Sequence, residues 1–386
     1  MNVWTDELAR RRAAGLYRAR RVTSSPQQAE LRVDGRPMLS FCSNDYLGLA
    51  NHPEVIQAAT EAMRDYGWGS GAAHLINGHS HHHHALEEEL AAFTGRPRAL
   101  LFSTGYMANQ GVISALLGSS DGLFQDRLNH ASLVDAGRLS QAQVKRYQHA
   151  DPASLERQIQ ASEVQHRLIV TDGVFSMDGD LAPLPELAGI ARRYNAWLMV
   201  DDAHGLGVLG QQGGGSISHF GLDQQAVPIL MGTLGKGLGS FGAFVAGSEA
   251  LIETLIQQAR SYIYTTATPP AVAAATRVSL RIAQQESWRR ERLRALVEGF
   301  REQAARIGLP LMDSFTPIQP VLAGSARQAL AWSRELETQG ILVSAIRPPT
   351  VPEGSARLRI TFSAGHTDQH LQRLLDALAR LSGIAA

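Results

Sequence analysis

Trp197-Leu198-Met199-Val200 runs straight into Asp201-Asp202-Ala203-His204-Gly205, and the reading of that stretch decides the fold. A short apolar run without polar alternation is the signature of a strand buried on both faces. This one ends on two carboxylates, an imidazole and a glycine. The pattern recurs on either side of it. Ala99-Leu100-Leu101-Phe102 leads to Ser103-Thr104-Gly105-Tyr106, and Leu168-Ile169-Val170 leads to Thr171-Asp172-Gly173-Val174-Phe175-Ser176. Ile229-Leu230-Met231 leads to Gly232-Thr233-Leu234-Gly235-Lys236-Gly237. Gly122-Leu123-Phe124 and Ala243-Phe244-Val245-Ala246 are further apolar runs, with helical stretches such as Asn109–Leu117 and Leu184–Tyr194 between them. Strands alternating with helices predict an α/β fold: a mostly parallel sheet with helices on both faces. In such sheets ligands bind outside the carboxyl ends of the strands, so the residues after each run form the candidate rim.

Around this centre the texture changes twice. Met1 to Arg21 reads as a helix on a mostly polar surface, and Leu31–Phe41 as short strands around Asp34-Gly35. Beyond about residue 280, Trp288–Ile307 and Ala326–Gln339 read as helices, Ile341–Ile346 and Arg357–Phe362 as strands, and Thr367–Leu381 as a closing helix. The expected organisation is 1–45 as an N-terminal helix and short strands, 46–280 as a large α/β domain, and 281–386 as a small C-terminal α+β domain.

Composition excludes several classes of function. The 386 residues are 44% hydrophobic, enough to build a large core and to set aside disorder as the main state. Lys plus Arg and Asp plus Glu both number 36, so the formal net charge is zero and no nucleic-acid partner is expected. No apolar run reaches the ~18 residues of a membrane span. The first 21 residues lack an apolar core of a secretory signal, and the single cysteine, Cys42, forms no internal disulfide. A cytoplasmic protein with no membrane contact is therefore expected.

The chemistry centres on Lys236, flanked by Gly235 and Gly237. A desolvated lysine loses its charge readily and forms Schiff bases. Pyridoxal phosphate (PLP) on such a lysine needs an acidic partner for its ring nitrogen, which Asp201 or Asp202 supplies. Thr233 and Ser176 offer hydroxyls to the phosphate, and the backbone N–H groups at Gly105 and Tyr106 open a helix, a ready anion site. His130 and His204 are candidates to sandwich the ring.

Ser43-Asn44-Asp45-Tyr46-Leu47-Gly48, Asp201-Asp202-Ala203-His204-Gly205 and Thr233-Leu234-Gly235-Lys236 together resemble the α-oxoamine synthases. These are fold-type-I PLP enzymes, acyltransferases that condense an amino acid with an acyl thioester and release CO2. The resemblance covers nearly the whole chain. Ile76-Asn77-Gly78-His79-Ser80, Tyr262-Ile263-Tyr264-Thr265-Thr266-Ala267 and Ile346-Arg347-Pro348-Pro349-Thr350-Val351-Pro352 bring it nearest the members that use L-alanine and a pimeloyl thioester, CoA or acyl carrier protein, in biotin biosynthesis. The resemblance implies a seven-stranded-type sheet and a homodimer. It also implies that Lys236 carries PLP and moves the α-proton, Asp201 pairs with the pyridinium nitrogen, His204 meets the phenolic oxygen and His130 stacks on the ring. Gly105, Tyr106, Ser176 and Thr233 match cofactor-contacting positions, while Thr265 and Thr266 match a segment reaching the neighbouring subunit's PLP phosphate. Arg359 matches the arginine that grips the amino-acid carboxylate, and Arg18, Asn44, His130 and Thr350 match substrate-facing positions. Gly69-Ser70-Gly71-Ala72-Ala73 departs from the more usual Gly-Ser-Gly-Gly-Ser and removes a hydroxyl at position 73. Two rivals stay open: a sister synthase using glycine or serine, of the aminolevulinate synthase or 2-amino-3-ketobutyrate CoA ligase type, and a PLP lyase.

Other signals read as structure. Gly237-Leu238-Gly239-Ser240-Phe241-Gly242 fits a dinucleotide fingerprint, but a strand-like run follows it where a helix is required. His79 and the run His81–His84 read as a loop and helix start before Leu86-Glu87, since consecutive histidines seldom converge on one ion; no metal is expected. Asp178 and Asp180 read as turn residues around Gly179.

Overall fold

The computed structural model describes residues 3–381, and the chain divides into two compact units. The large unit holds Leu47–Ser176 and Leu181–Arg290; the small unit holds the chain through Tyr46, Met177–Asp180, and the chain from Glu291 on.

In the small unit, helix Val3–Ala13 buries no residue and stops eight residues short of the expected end. Gly15 follows it with φ 67°, a left-handed conformation that closes the helix. Strands β1 (Glu30–Val33) and β2 (Arg36–Ser40) form an antiparallel hairpin. Its two-residue turn, Asp34-Gly35, has positive φ at both positions, as the twist of a tight hairpin demands.

The large unit is built on seven strands: β3 (Arg98–Phe102), β4 (Gly122–Asp126), β5 (Gln143–Tyr147), β6 (Arg167–Asp172), β7 (Trp197–Asp201), β8 (Ile229–Thr233) and β9 (Ala243–Gly247). Their order in the sheet is β3-β9-β8-β7-β6-β4-β5, and only β9 runs antiparallel to its neighbours. Alternation explains why the strands read as continuous apolar runs. Leu168, Val170, Met199, Ile229 and Met231 pack on one face, and Ile169, Leu198, Val200 and Leu230 on the other. Helices cover both faces, so the strands are mostly apolar, and the polar groups they bury gather towards their carboxyl ends. β5 shows no apolar run, because Tyr147 is its only buried residue.

In the small unit again, β10 (Ile318–Gly324), β12 (Ser344–Ile346) and β13 (Ala356–Thr361) form an antiparallel sheet, while β11 (Ile341–Leu342) adds in parallel to β2. That pairing, Ile341 with Leu39 and Leu342 with Ser40, ties the N-terminal strands to the C-terminal region. The expected separate N-terminal piece is therefore part of the small unit. The boundary expected near 280 falls after Arg290, because helix Pro270–Gln285 buries Ala271 and Ala274 against Ala62 of the large unit. Among the described residues no helix is long and apolar enough to cross a membrane.

Candidate active site

Parallel pairing aligns the carboxyl ends of β4, β6 and β7, and each of these strands ends on an aspartate: Asp126, Asp172 and Asp201. Asp172 sits in register with Asp201, and Asp201 with Met231 of β8, two residues before Thr233. Sheet geometry thus gathers the rim that the sequence pattern anticipates.

After Thr233 the chain folds back on itself. The Leu234 N–H donates to Gly242 O at 2.9 Å, the Ser240 N–H to Leu234 O at 2.8 Å, and the Gly239 N–H to Lys236 O at 2.9 Å. These bonds fix the Lys236 backbone, and its Nζ lies 3.1 Å from Nε2 of the buried His204. Gly237 is a steric requirement: a Cβ there would meet Leu206 O at 2.4 Å. Gly105 opens helix Gly105–Leu116, and a Cβ on it would meet Thr233 Cγ2 at 2.9 Å. The helix N-terminus and the lysine-bearing loop therefore abut.

Asp201 is buried and its orientation is fixed from two sides. Asn109 Nδ2 donates to Oδ2 at 2.8 Å, and the Ala203 N–H donates to Oδ1 at 3.1 Å. Asn109 lies one turn into the helix that Gly105 begins, and it also donates to Ser132 Oγ at 2.8 Å. Ser132 in turn holds His130, whose Nδ1 is 2.7 Å from Ser132 Oγ, and the His130 N–H donates to Asp172 Oδ2 at 2.7 Å. One network therefore joins Asp201, Asn109, Ser132, His130 and Asp172. Desolvation of its ring nitrogens lowers the His130 pKa, the Lys236 charge lowers it further, and Asp201 opposes both. Burial first, and repulsion from Asp201 second, hold the Asp172 carboxyl well above the usual carboxylate range. Burial likewise pushes Asp202 up to about 7, although its Oδ2 accepts the Ser216 N–H at 2.7 Å.

Of the other expected residues in this unit, Thr233 Oγ1 donates to Ala203 O at 3.3 Å, between the two loops. Tyr106 is 39% exposed and its hydroxyl donates to Asp135, which raises its pKa. Ser176 is half-buried in the loop after β6. Thr265 and Thr266 lie between helices Arg260–Ile263 and Pro270–Gln285, where Thr266 bridges Ala73.

The small unit holds the remainder. Arg359 of β13 is buried, and its Nη2 donates to Asn44 Oδ1 at 3.2 Å; the buried Tyr46 hydroxyl donates to the same oxygen at 3.2 Å. Arg18 Nη2 donates to Thr350 Oγ1 at 3.4 Å, across 332 positions of sequence. Two residues before Arg359 and on the same face of β13, Arg357 forms an ion pair with Asp178. The turn reading of Asp178 is incomplete: Ser314 and Thr316 donate to Gly179 O at 2.9 and 3.1 Å, which is why Met177–Asp180 belongs to the small unit. Sequence reasoning missed Asn109, Ser132 and Arg357; for Asn109 the available signal was its i+4 spacing from Gly105 on the helix that faces the rim.

The model for the class I and II aminotransferases matches residues 36–378. The 8-amino-7-oxononanoate synthase of Nitrosococcus oceani is 64% identical over 97% of this chain and 100% of its own length. That of Cellvibrio japonicus is 62% identical over 98% of this chain and 95% of its own. Among solved structures, the serine palmitoyltransferase of S. paucimobilis with a bound PLP–myriocin aldimine superposes with a TM-score of 0.92, at 30% identity over 97% of this chain and 96% of its own. The 8-amino-7-oxononanoate synthase of Francisella tularensis superposes with a TM-score of 0.79, at 33% identity over 89% of this chain and 97% of its own. The fold is that of fold-type-I enzymes, and the chain belongs to the class I and II aminotransferase family and, within it, to the 8-amino-7-oxononanoate synthases.

Proposed function

We propose that this protein condenses L-alanine with a pimeloyl thioester, releasing CO2, free thiol and 8-amino-7-oxononanoate. The observation that carries the reading is the pairing of Lys236, 3.1 Å from His204, with a buried Asp201 fixed by Asn109 and the Ala203 N–H. The residues fit PLP. Asp201 suits a protonated ring nitrogen, and the Gly105 cradle, which a Cβ would fill, opens a helix N-terminus to the phosphate. Tyr106 and Thr233 adjoin Gly105 there; in this reading Ser176 adds a hydroxyl to the phosphate, and Thr265 and Thr266 extend the site to the partner in a homodimer. When bound, PLP supplies an electron sink for the bonds at the amino acid's Cα.

The chain supplies the rest. Lys236 anchors the cofactor and, once alanine displaces it, takes the proton from Cα with its Nζ. His204 stands beside that nitrogen and orients it. Asp201 keeps the ring nitrogen charged, and the Asn109–Ser132–His130 network prevents its side chain from turning away. His130 covers the ring. Arg359 holds the alanine carboxylate through a two-pronged guanidinium contact, with Asn44 fixing its direction. Orientation of the carboxylate selects which Cα bond breaks at each stage. Arg18 and Thr350 face the pimeloyl thioester.

Thiol release and CO2 release measured together, with L-alanine, glycine and L-serine each offered beside pimeloyl-CoA, test the reading. Stoichiometric release of both with alanine alone is expected. Equal release with glycine or serine would overturn the substrate, and CO2 without thiol would make the protein a lyase. If pimeloyl-acyl carrier protein is consumed and the CoA ester is not, the donor is the carrier-bound acyl group.

A further inference from the structure

Away from the rim, the histidine-rich segment does converge. Helix His81–Phe93 carries His84 and Glu87 three residues apart, which places them on one face. The preceding turn, His74–Gly78, delivers His79 to the same face. One ligand atom from each of His79, His84 and Glu87 lies within 4.8 Å of the others, and His79 Nε2 is 3.8 Å from Glu87 Oε2. The geometry points to a divalent transition-metal site, of the zinc type, formed by His79, His84 and Glu87.

Four observations support it. First, two imidazoles and a carboxylate are a donor set that zinc accepts, with a fourth position left to water. Second, the donors need to close only modestly, since tetrahedral zinc at ~2.0–2.1 Å holds its ligand atoms roughly 3.4 Å apart. His84 is exposed, and its Nε2 lies 3.5 Å from Glu88 Oε1, a surface contact of the weak kind that an ion would replace. Third, the other ligand atoms of Glu87 and His79 are already engaged. Glu87 Oε1 accepts the Leu101 N–H at 2.9 Å, and His79 Nδ1 is 2.9 Å from His74 Nδ1. His74 itself stacks on Tyr262 at 5.2 Å. Outer contacts of this kind set the direction of a metal-binding ring. Fourth, these residues line a cavity of about 260 Å³ that includes His74, His79, His84, Glu87 and Tyr262. The ion would join a turn, a helix and, through the Leu101 N–H, strand β3. Its role is structural, because none of its ligands belongs to the rim.

The test uses the PLP-loaded enzyme stripped with a chelator and titrated with zinc chloride alone. One equivalent per chain should bind, with a higher Tm. His79→Gln and His84→Gln should each weaken binding by more than the ~10–100-fold typical of losing an outer partner, and abolish the Tm increase. His74→Phe should fall within that range. The double variant His81→Gln/His82→Gln, which leaves all three ligands in place, should bind as the wild type does. Turnover of each metal-free variant should match the wild type, which also reports correct folding. Binding that survives His84→Gln, binding lost in the His81/His82 double variant, or no stoichiometric binding at all would each overturn the site.

Discussion

The rim of the large unit and strand β13 of the small unit both bury ionisable groups, and they hold them in different ways. At the rim, Asp172, Asp201 and Asp202 are buried in a cluster, and the bonds that fix them come from neutral donors: Asn109 and the N–H groups of Ala203, His130 and Ser216. On β13, Arg357 meets the carboxylate of Asp178, whereas Arg359 two residues on is held by the amide oxygen of Asn44. A buried ion pair is internally satisfied and serves structure. Arg359 directs a guanidinium nitrogen at a neutral amide oxygen, an environment that suits a carboxylate ligand. The contrast separates Arg359 from Arg357 although they share a strand face.

Substitutions should follow that division. Lys236→Ala should lower turnover by at least about 10³-fold, in line with loss of a positioned proton-transfer group. The near-visible absorption of the PLP-loaded protein should change with it while the Tm holds. Asp201→Asn should cost about 10²–10⁴-fold in kcat/KM and leave the Tm equal or higher, since it removes one of three crowded carboxyls. Turnover within tenfold of wild type for Asp201→Asn would detach the rim charge from the chemistry.

The small-unit pair should behave in the opposite sense. Arg357→Ala leaves the Asp178 carboxylate buried without its partner and should destabilise by about 3–5 kcal/mol, read by urea denaturation. Replacing both, as Asp178→Leu/Arg357→Leu, should recover most of the loss. Arg359→Ala should show the reverse balance, a raised KM for alanine with a smaller change in stability. If Arg359→Ala unfolds the protein as readily as Arg357→Ala, the distinction between the two arginines fails.

The rim also predicts a pH dependence. Asp202 has a folded pKa of about 7 against an ordinary 3.8. Its contribution to stability is thus complete below pH ~4 and declines as pH rises towards 7, because the folded state keeps a proton that the unfolded state has lost. The slope from this one group is up to about 1.4 kcal/mol per pH unit. Asp202→Asn should remove it, so wild type and variant should diverge in stability between those limits and run parallel above them. Parallel curves throughout would show Asp202 already ionised in the folded protein.

The sheet was legible because burial on both faces writes itself into sequence as apolar runs. Six of the seven strands show it, and β5 does not because four of its five residues lie outside the core. Lys236, Asp201 and His204 were legible because each follows such a run. Asn109 and Ser132 were not, since their partners come from other strands and helices and no local pattern marks them. Asp178 reads as a turn because the turn is local, whereas its partner Arg357 lies far along the chain. The histidine run was set aside on a sound rule about consecutive residues. The rule missed that the converging set skips three of them, taking His79 from the turn and His84 from the helix.

Arg18 and Thr350 are the weakest link in the comparison, and the smallest effect belongs to them. Their contact is 3.4 Å long and Arg18 is exposed, so the bond itself contributes little to folding. If they matter, it is through the acyl substrate. Arg18→Ala should then raise the KM for pimeloyl-CoA roughly fivefold, about 1 kcal/mol of binding, with the KM for alanine and the Tm unchanged. Thr350→Val should act in the same direction and more weakly, since it removes one acceptor and no charge. The double variant decides how they work. If the hydrogen bond orients the guanidinium towards the thioester, the two losses should be less than additive, because the threonine has nothing to orient once the arginine is gone. Strict additivity would mean that each touches the substrate independently, and an unchanged KM in both would remove Arg18 and Thr350 from the site.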